Sequence, residues 1–269
     1  MKTKIPKIIH YCWFGEKPLS AQAQKCIDSW KRVCPDYEIR EWNEKNFDIN
    51  SVTYVKEAYE NKKWAFVADY VRLYAIVNYG GIYMDTDVET VKKFDELLEN
   101  EAFAGFEDEK NISTGILACK KKFPLFKEFL DYYENRKFVM ENGMLDTTTN
   151  VKIITDICMK YGFIPNNSMQ NINNLVIYPK EYFCPKDYKT GFINVTGNTY
   201  TIHYFLGSWL PKKEQKFLKL QEKLAKKYNA NVAEKIVLIY SLPYRVNKRI
   251  KMYGIISTIK FAIRKIVKS

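Results

Sequence analysis

The chain has 269 residues, enough for one large domain or two small ones with a sizeable core, and its 46% hydrophobic and 28% charged content excludes extensive disorder. Only two histidines are present, which excludes a multi-histidine metal site within one chain. The net charge of +12 is uneven: residues 211–269 carry 16 Lys/Arg against 3 Asp/Glu, while the preceding 210 residues carry 27 against 28. A nearly neutral body with a basic tail argues against nucleic acid as a partner and for attachment to an anionic surface.

In chain order, IPKIIHYCWFG reads as a buried first strand from Ile5 to about Trp13, closed by Gly15. Ser20 is placed to cap a helix running to about Val33, and YEIREW alternates like a strand. A polar helix is expected over 52–61, then the most apolar helix of the body over 64–79 with Gly80 as its C-cap. Gly81–Met84 reads as a short strand, followed by Asp-Thr-Asp and further short strands at VETV, AFAGF and STGILACK. A helix is expected from Pro124 to Tyr133, with polar loops over 135–150 and 161–199, the latter holding a short strand at LVIYP. TYTIHYF reads as a late strand, and basic amphipathic helices follow Pro211. Alternating strands and helices predict an α/β domain with a mostly parallel central sheet over 1–210, and a separate helical tail over 211–269.

The sharpest chemistry lies in GGIYMDTDVE, residues 80–89. Asp85 and Asp87, with Thr86 between them, point to one side of an extended segment at the carboxyl end of an apolar strand, where open α/β sheets bind ligands. Paired carboxylates repel unless neutralised, and a hard divalent cation does this while also accepting diphosphate oxygens. In the helix over 64–79 the only charges are Asp69 and Arg72, spaced to share a face with Ala65, Ala68 and Ala75. That pattern fits either an internal ion pair or a ligand site in which Arg72 meets phosphate or sugar and Asp69 accepts sugar hydroxyls. His203 ends the late strand just before Gly-Ser-Trp, as a third metal ligand or a donor to phosphate, with Ser208 and Trp209 placed to close over a diphosphate. His10, inside the first strand, reads as structural or as a wall of a nucleotide pocket. No carboxylate nucleophile stands out.

Together, IPKIIHYCWFG, ADYVRLYAIVNYGGIYMDTDVE and IHYFLGSW resemble family 32 glycosyltransferases, which include the initiating α-1,6-mannosyltransferases of yeast and bacterial capsule enzymes, with the glucosylating clostridial toxins as distant relatives. The resemblance implies a GT-A-like nucleotide-binding sandwich, a nucleotide-sugar donor, Mn²⁺ or Mg²⁺, and retention of anomeric configuration. It implies that Asp85 and Asp87 hold metal and diphosphate, that Asp69 and Arg72 bind the donor sugar beside Tyr83, and that His203, Ser208 and Trp209 lie on the metal and diphosphate side. Cys12, Trp13 and Phe14 would bracket the base, and Asn150 would reach the sugar. By analogy with capsule enzymes, UDP-sugars are favoured over GDP-sugars, with a glycan or lipid-linked acceptor. The competing enzyme reading is a sugar nucleotidyltransferase, which also uses paired carboxylates; no Gly-rich phosphate loop supports it.

The tail reads as interfacial: its helices are basic and amphipathic, and no apolar run is long enough to span a bilayer. Packing on the domain, or pairing into a homo-oligomer, is the alternative. Six cysteines without zinc-like spacing, and no signal-like apolar run near the N-terminus, predict an intracellular chain with free thiols, peripheral on the inner face of the plasma membrane.

Overall fold

The computed structural model describes residues 3–207 and 210–266, with the side chains of 252, 258 and 260–266 left aside; Ser208 and Trp209 therefore lie outside the described residues. The chain divides into two compact units, Met1–Lys186 with Ile193–Trp209, and Asp187–Phe192 with Leu210–Ser269.

The first unit is built on a seven-stranded sheet in the order β2-β1-β3-β6-β5-β8-β7, comprising β1 (Ile8–Cys12), β2 (Glu38–Trp42), β3 (Gly81–Met84), β5 (Ala102–Gly105), β6 (Ile116–Cys119), β7 (Gln170–Ile172) and β8 (Leu175–Tyr178). Strands β2, β1, β3, β5 and β8 run one way, and β6 and β7 run against them. The sheet is thus mostly parallel, and the reversed β6 sits between the two parallel groups. A separate two-stranded ribbon pairs β4 (Val88–Thr90) with β9 (Thr201–His203).

Helices cover both faces. On one side α2 (Thr53–Glu60), α3 (Trp64–Tyr79), α4 (Pro124–Asp131) and α5 (Asn150–Lys160) build a core from Val55, Leu73, Ile76, Phe126, Ile154 and their neighbours. On the other, α1 (Ala21–Val33) packs Cys26, Ile27 and Trp30 against Ile9, Ile82, Phe103 and Phe183. Ser20 caps α1 by accepting the Ala23 N–H. Helix α1 also pins the ribbon: the Trp30 indole donates to the Val88 carbonyl at 2.7 Å, and the Thr90 N–H donates to Ser29 Oγ at 2.9 Å. Helix α3 is central, with ten buried residues among its sixteen, which is why its sequence shows no polar face. It ends at Gly80, where φ is +71°, and a Cβ on the next glycine, Gly81, would lie 2.6 Å from the Ile8 carbonyl oxygen. The Gly-Gly pair therefore lets β3 start flush against β1. Helix α5 fills the stretch between the two expected loops, and β7 lies within the second of them.

His10 is structural. Its Nδ1 accepts from the Trp42 indole at 3.1 Å, which leaves Nε2–H to donate to the Gly80 carbonyl at 2.8 Å. Burial lowers its pKa to about 4, so the ring is neutral and ties β1 to β2 and to the turn before β3. All six cysteines are free and buried.

The second unit contains α6 (Lys212–Lys227) and α7 (Ala230–Ile266), the latter broken at Gly254, where φ is +79°. Phe217 of α6 packs edge-on against Tyr240 and Tyr244 of α7. Ala233, Val237 and Ser241 are buried along one side of α7. At 3.6 residues per turn the opposite side carries Ile239, Leu242 and Val246, which are 73%, 53% and 41% exposed. Among the described residues no helix is long and apolar enough to cross a membrane.

Candidate active site

The Asp-Thr-Asp segment leaves β3 at the carboxyl edge of the sheet and turns at once. The Asp85 N–H donates to the Gly115 carbonyl at 2.9 Å, and the Val88 N–H closes the turn onto the Asp85 carbonyl at 3.0 Å. The chain then enters β4, whose register with β9 sets Val88 directly across from His203. That pairing brings a histidine more than a hundred residues downstream onto the carboxylate pair. Asp85, Asp87 and His203 each offer a ligand atom, all within 4.8 Å of one another. The Leu206 N–H donates to Asp87 Oδ2 at 2.9 Å, and His203 Nε2 lies 3.3 Å from Asp87 Oδ1.

Gly115 supplies the room for this cluster. A Cβ there would come within 2.7 Å of His203 Cε1 and 3.3 Å of Asp85 Oδ2. Two carboxylates and one imidazole fit a divalent cation with ligand bonds of about 2.1 Å, because small side-chain rotations close a spread of this size. In the protein alone, cations of the chain serve instead. Burial opposes ionisation of Asp87, yet the His203 charge and hydrogen bond, with the Leu206 N–H, hold its carboxyl below the usual range. Burial likewise opposes a charged His203 ring, and Asp87 outweighs it, raising the pKa well above the ordinary value.

Beside this cluster sits the buried pair of α3. Arg72 Nη2 is 3.0 Å from Asp69 Oδ1 and 3.5 Å from Asp85 Oδ1. The guanidinium also donates to the Thr114 carbonyl at 2.6 Å and the Ala68 carbonyl at 3.2 Å, and it lies over the Tyr83 ring. The Tyr83 hydroxyl donates to Asp85 Oδ1 at 2.7 Å. Burial raises Asp69 to about 6 despite Arg72. The internal ion pair of the sequence reading is thus present, and its Arg72 also touches a candidate metal ligand.

Asn150, at the first turn of α5, joins the group. Its Nδ2 donates to the Asp69 carbonyl at 2.9 Å and lies 3.1 Å from the Tyr133 hydroxyl, while Oδ1 is buried without a partner among the described residues. Thr86 is half-buried in the turn. Cys12 is buried, its thiol pushed up by burial within the electrostatic reach of Arg72 and Asp85. Phe14, expected to help bracket a base, is 7% exposed, and its ring packs edge-on against Phe47. Trp13 is half-buried, with its indole donating to the Lys17 carbonyl at 2.6 Å. The Ser208 and Trp209 expectation falls outside the described residues.

Sequence reasoning missed Thr114, Gly115 and Glu107. A glycine opening an apolar strand is the signal that marks Gly115, since such glycines occur where another group approaches closely. Glu107 gave no local signal.

A carboxylate pair in a tight turn at the carboxyl edge of a mixed sheet, faced by a histidine and flanked by a buried Asp–Arg pair, is the arrangement that the DXD resemblance implies. Residues 20–104 match the family described as "Glycosyltransferase sugar-binding region containing DXD motif". The matched stretch holds the Asp69–Arg72 pair and the Asp-Thr-Asp turn and spans about a third of the chain. It is 32% identical over 128 residues to inositol phosphoceramide mannosyltransferase 3 of Schizosaccharomyces pombe, covering 45% of this chain and 35% of that protein. It is 29% identical over 158 residues to mannosyl phosphorylinositol ceramide synthase SUR1 of Saccharomyces cerevisiae, covering 54% of this chain and 39% of that protein. The matches thus span well under half the length of these yeast relatives. Among solved structures, the galactosyltransferase LgtC aligns over 82% of this chain and 95% of its own, with a TM-score of 0.40 and 14% identity.

Proposed function

We propose that the protein is a metal-dependent, retaining glycosyltransferase that moves a hexose or N-acetylhexosamine from a nucleotide-sugar to a lipid-linked glycan acceptor in surface-polysaccharide synthesis. The observation that carries this reading is the grouping of Asp85, Asp87 and His203 beside the Asp69–Arg72 pair, within and next to the matched sugar-binding region. The relatives' names support mannose as one candidate hexose and a lipid-borne acceptor. The basic tail and the exposed apolar side of α7 support a peripheral site of action on an anionic, cytoplasmic membrane face.

Mn²⁺ or Mg²⁺ held by Asp85, Asp87 and His203 would supply charge to offset that of the departing diphosphate. Arg72 is held by the Thr114 and Ala68 carbonyls and by Asp69 and Asp85, which fixes its positive charge beside the carboxylates that would hold the metal and diphosphate. Asp69 and Asn150 Oδ1 offer acceptors for sugar hydroxyls on the same side. The acceptor oxygen attacks the face of the anomeric carbon that the diphosphate leaves, and its proton passes to a departing phosphate oxygen. The experiment is nucleoside-diphosphate release from a panel of UDP- and GDP-sugars, with Mn²⁺ or with EDTA, for wild type and Asp87→Asn. Release from one donor, lost with EDTA and in the variant, is expected. No release from any donor, together with no metal-dependent thermal stabilisation by UDP or GDP, would overturn the reading.

A further inference from the structure

Strand β5 ends at Gly105 and continues into a hairpin. Phe106 bridges Ile112, the Glu107 N–H donates to the Asn111 carbonyl at 2.8 Å, and Asp108 caps the tip by accepting the Lys110 and Asn111 N–H groups. The chain then passes through Thr114 and Gly115, which contact Arg72, Asp85 and His203, before entering β6. The base of this hairpin therefore abuts the metal cluster.

The alternation of side chains along β5 orients Glu107. Ala104 and Phe106 join the core beneath α3, whereas Phe103 faces the other way, packing on Phe183, and a Cβ on Gly105 would also meet Phe183. Glu107 follows Phe103 and Gly105 onto that second face, where Cys184 and His203 lie close together. Its carboxyl lies within electrostatic reach of His203, Asp85 and Arg72.

Glu107 is half-buried, and its side chain has no hydrogen-bond or ion-pair partner among the described residues. Its neighbours are satisfied: Asp108 by the hairpin, Glu109 by Lys180 at 2.8 Å. Burial, with the nearby Asp108 and Asp85 charges, raises Glu107 to about 7 even though His203 pulls the other way. A fold that keeps such a group unpaired leaves its acceptor oxygens free for a ligand.

Its place in the sheet says which ligand. Strands β1 and β2, where the resemblance would put the base, flank β3 on one side, and β6 and β5 flank it on the other. Glu107 thus lies two strand spacings, about 10 Å, across from the Asp-Thr-Asp turn. That interval leaves room for a sugar ring between them, on the flank away from the base. On the glycosyltransferase reading above, we infer that Glu107 is a catalytic residue: its carboxylate accepts a hydrogen bond from the acceptor-sugar hydroxyl next to the attacking one and so aims the attacking oxygen at the anomeric carbon. As the acceptor oxygen bonds to that carbon, the carbon–oxygen bond to the diphosphate breaks and its electron pair leaves with the diphosphate. The hydroxyl proton goes to the leaving phosphate oxygen, and Glu107 ends the step ionised, as it began.

The test compares wild type, Glu107→Gln and Glu107→Asp in three readouts: thermal stabilisation by Mn²⁺ with UDP or GDP, slow donor hydrolysis by water, and nucleoside-diphosphate release stimulated by n-octyl hexopyranosides as acceptor probes. The expected result for Glu107→Gln is unchanged metal–nucleotide stabilisation and acceptor-stimulated release down roughly a hundredfold, a loss far larger than that in donor hydrolysis and partly restored in Glu107→Asp. Equal acceptor stimulation in wild type and Glu107→Gln would overturn the assignment. So would parallel loss of all three readouts, which marks a structural role. No release by the wild-type protein from any donor would instead overturn the glycosyltransferase reading and this inference with it.

Discussion

Substituting Gly115 by alanine tests the metal cluster without touching any of its ligands. Gly115 has no left-handed backbone angle, so alanine meets no conformational barrier there; the cost comes from space alone. Its Cβ would stand 2.7 Å from His203 Cε1 and 2.8 Å from Nδ1. An ordinary carbon contact is about 3.5 Å, so the imidazole must retreat by about 0.7 Å. His203 is boxed in by Asp87, Cys184 and the Phe205 ring, and it has no open side to retreat into. Metal–ligand bonds tolerate deviations of only about 0.2 Å. The expected outcome is a loss of Mn²⁺ affinity of about 10- to 100-fold, with about 1–3 kcal/mol lost from fold stability. Calorimetric titration of Mn²⁺ in the presence of UDP or GDP, alongside urea unfolding, reads both quantities. Gly197→Ala serves as the control, since a Cβ there meets nothing within 4 Å. Mn²⁺ binding by Gly115→Ala as tight as in the Gly197→Ala control would refute the assignment of His203 to the metal.

Three further predictions follow from the same geometry. Arg72→Lys keeps the charge but cannot reach the Thr114 carbonyl, the Ala68 carbonyl and two carboxylates at once, so it should lose about 3–5 kcal/mol of stability in urea unfolding together with nucleoside-diphosphate release; wild-type stability would show that the fork is not needed. His10 has a folded pKa of about 4 against an ordinary value of 6.5, so as pH falls through that window the unfolded chain takes up a proton that the native ring refuses. Stability should therefore fall by about 3 kcal/mol between pH 6.5 and 4 from this group, and His10→Gln should flatten that part of the profile; identical slopes would contradict a buried neutral ring. The double substitution Ile239→Glu and Leu242→Glu, at exposed positions of α7, should leave the melting temperature unchanged and abolish co-flotation with phosphatidylserine vesicles; undiminished flotation would rule out this face as the lipid contact.

The elements with strong local signals were legible in the sequence. Ser20 announces α1, the long apolar run gives α3, and Gly80-Gly81 marks the tight entry into β3. The Asp85, Asp87 and His203 grouping was also legible, because each residue sits at a strand end and strand ends converge on one edge of the sheet. What the sequence lacked were contacts made across long separations. The Trp42–His10–Gly80 hydrogen-bond chain needs β1, β2 and the start of β3 side by side. The reversal of β6 depends on which neighbours it pairs with, and short apolar strands read alike in either direction. The Phe14–Phe47 ring contact was likewise out of reach, because an aromatic residue at a strand end fits a ligand wall and a core position equally well in sequence. Glu107 was invisible for the opposite reason: in sequence it is one acid among several in a polar hairpin, and only the alternation of β5 separates it from Asp108 and Glu109.

The six buried thiols turn the fold into its own stopwatch. A reagent in solvent reacts with a buried cysteine only during the moments when the surrounding packing opens, so each labelling rate measures a local opening free energy. Cys184 Sγ lies 4.0 Å from His203 Nδ1 and 3.5 Å from Ser113 Oγ, at the back wall of the metal cluster, whereas Cys158 lies under α5. Ions or nucleotides that draw His203 into coordination suppress opening at the first thiol by the logarithm of their occupancy, while the second, a residue of α5 itself, serves as the internal reference. Occupancy of the donor site is thereby written into the chemistry of native side chains, with no added probe.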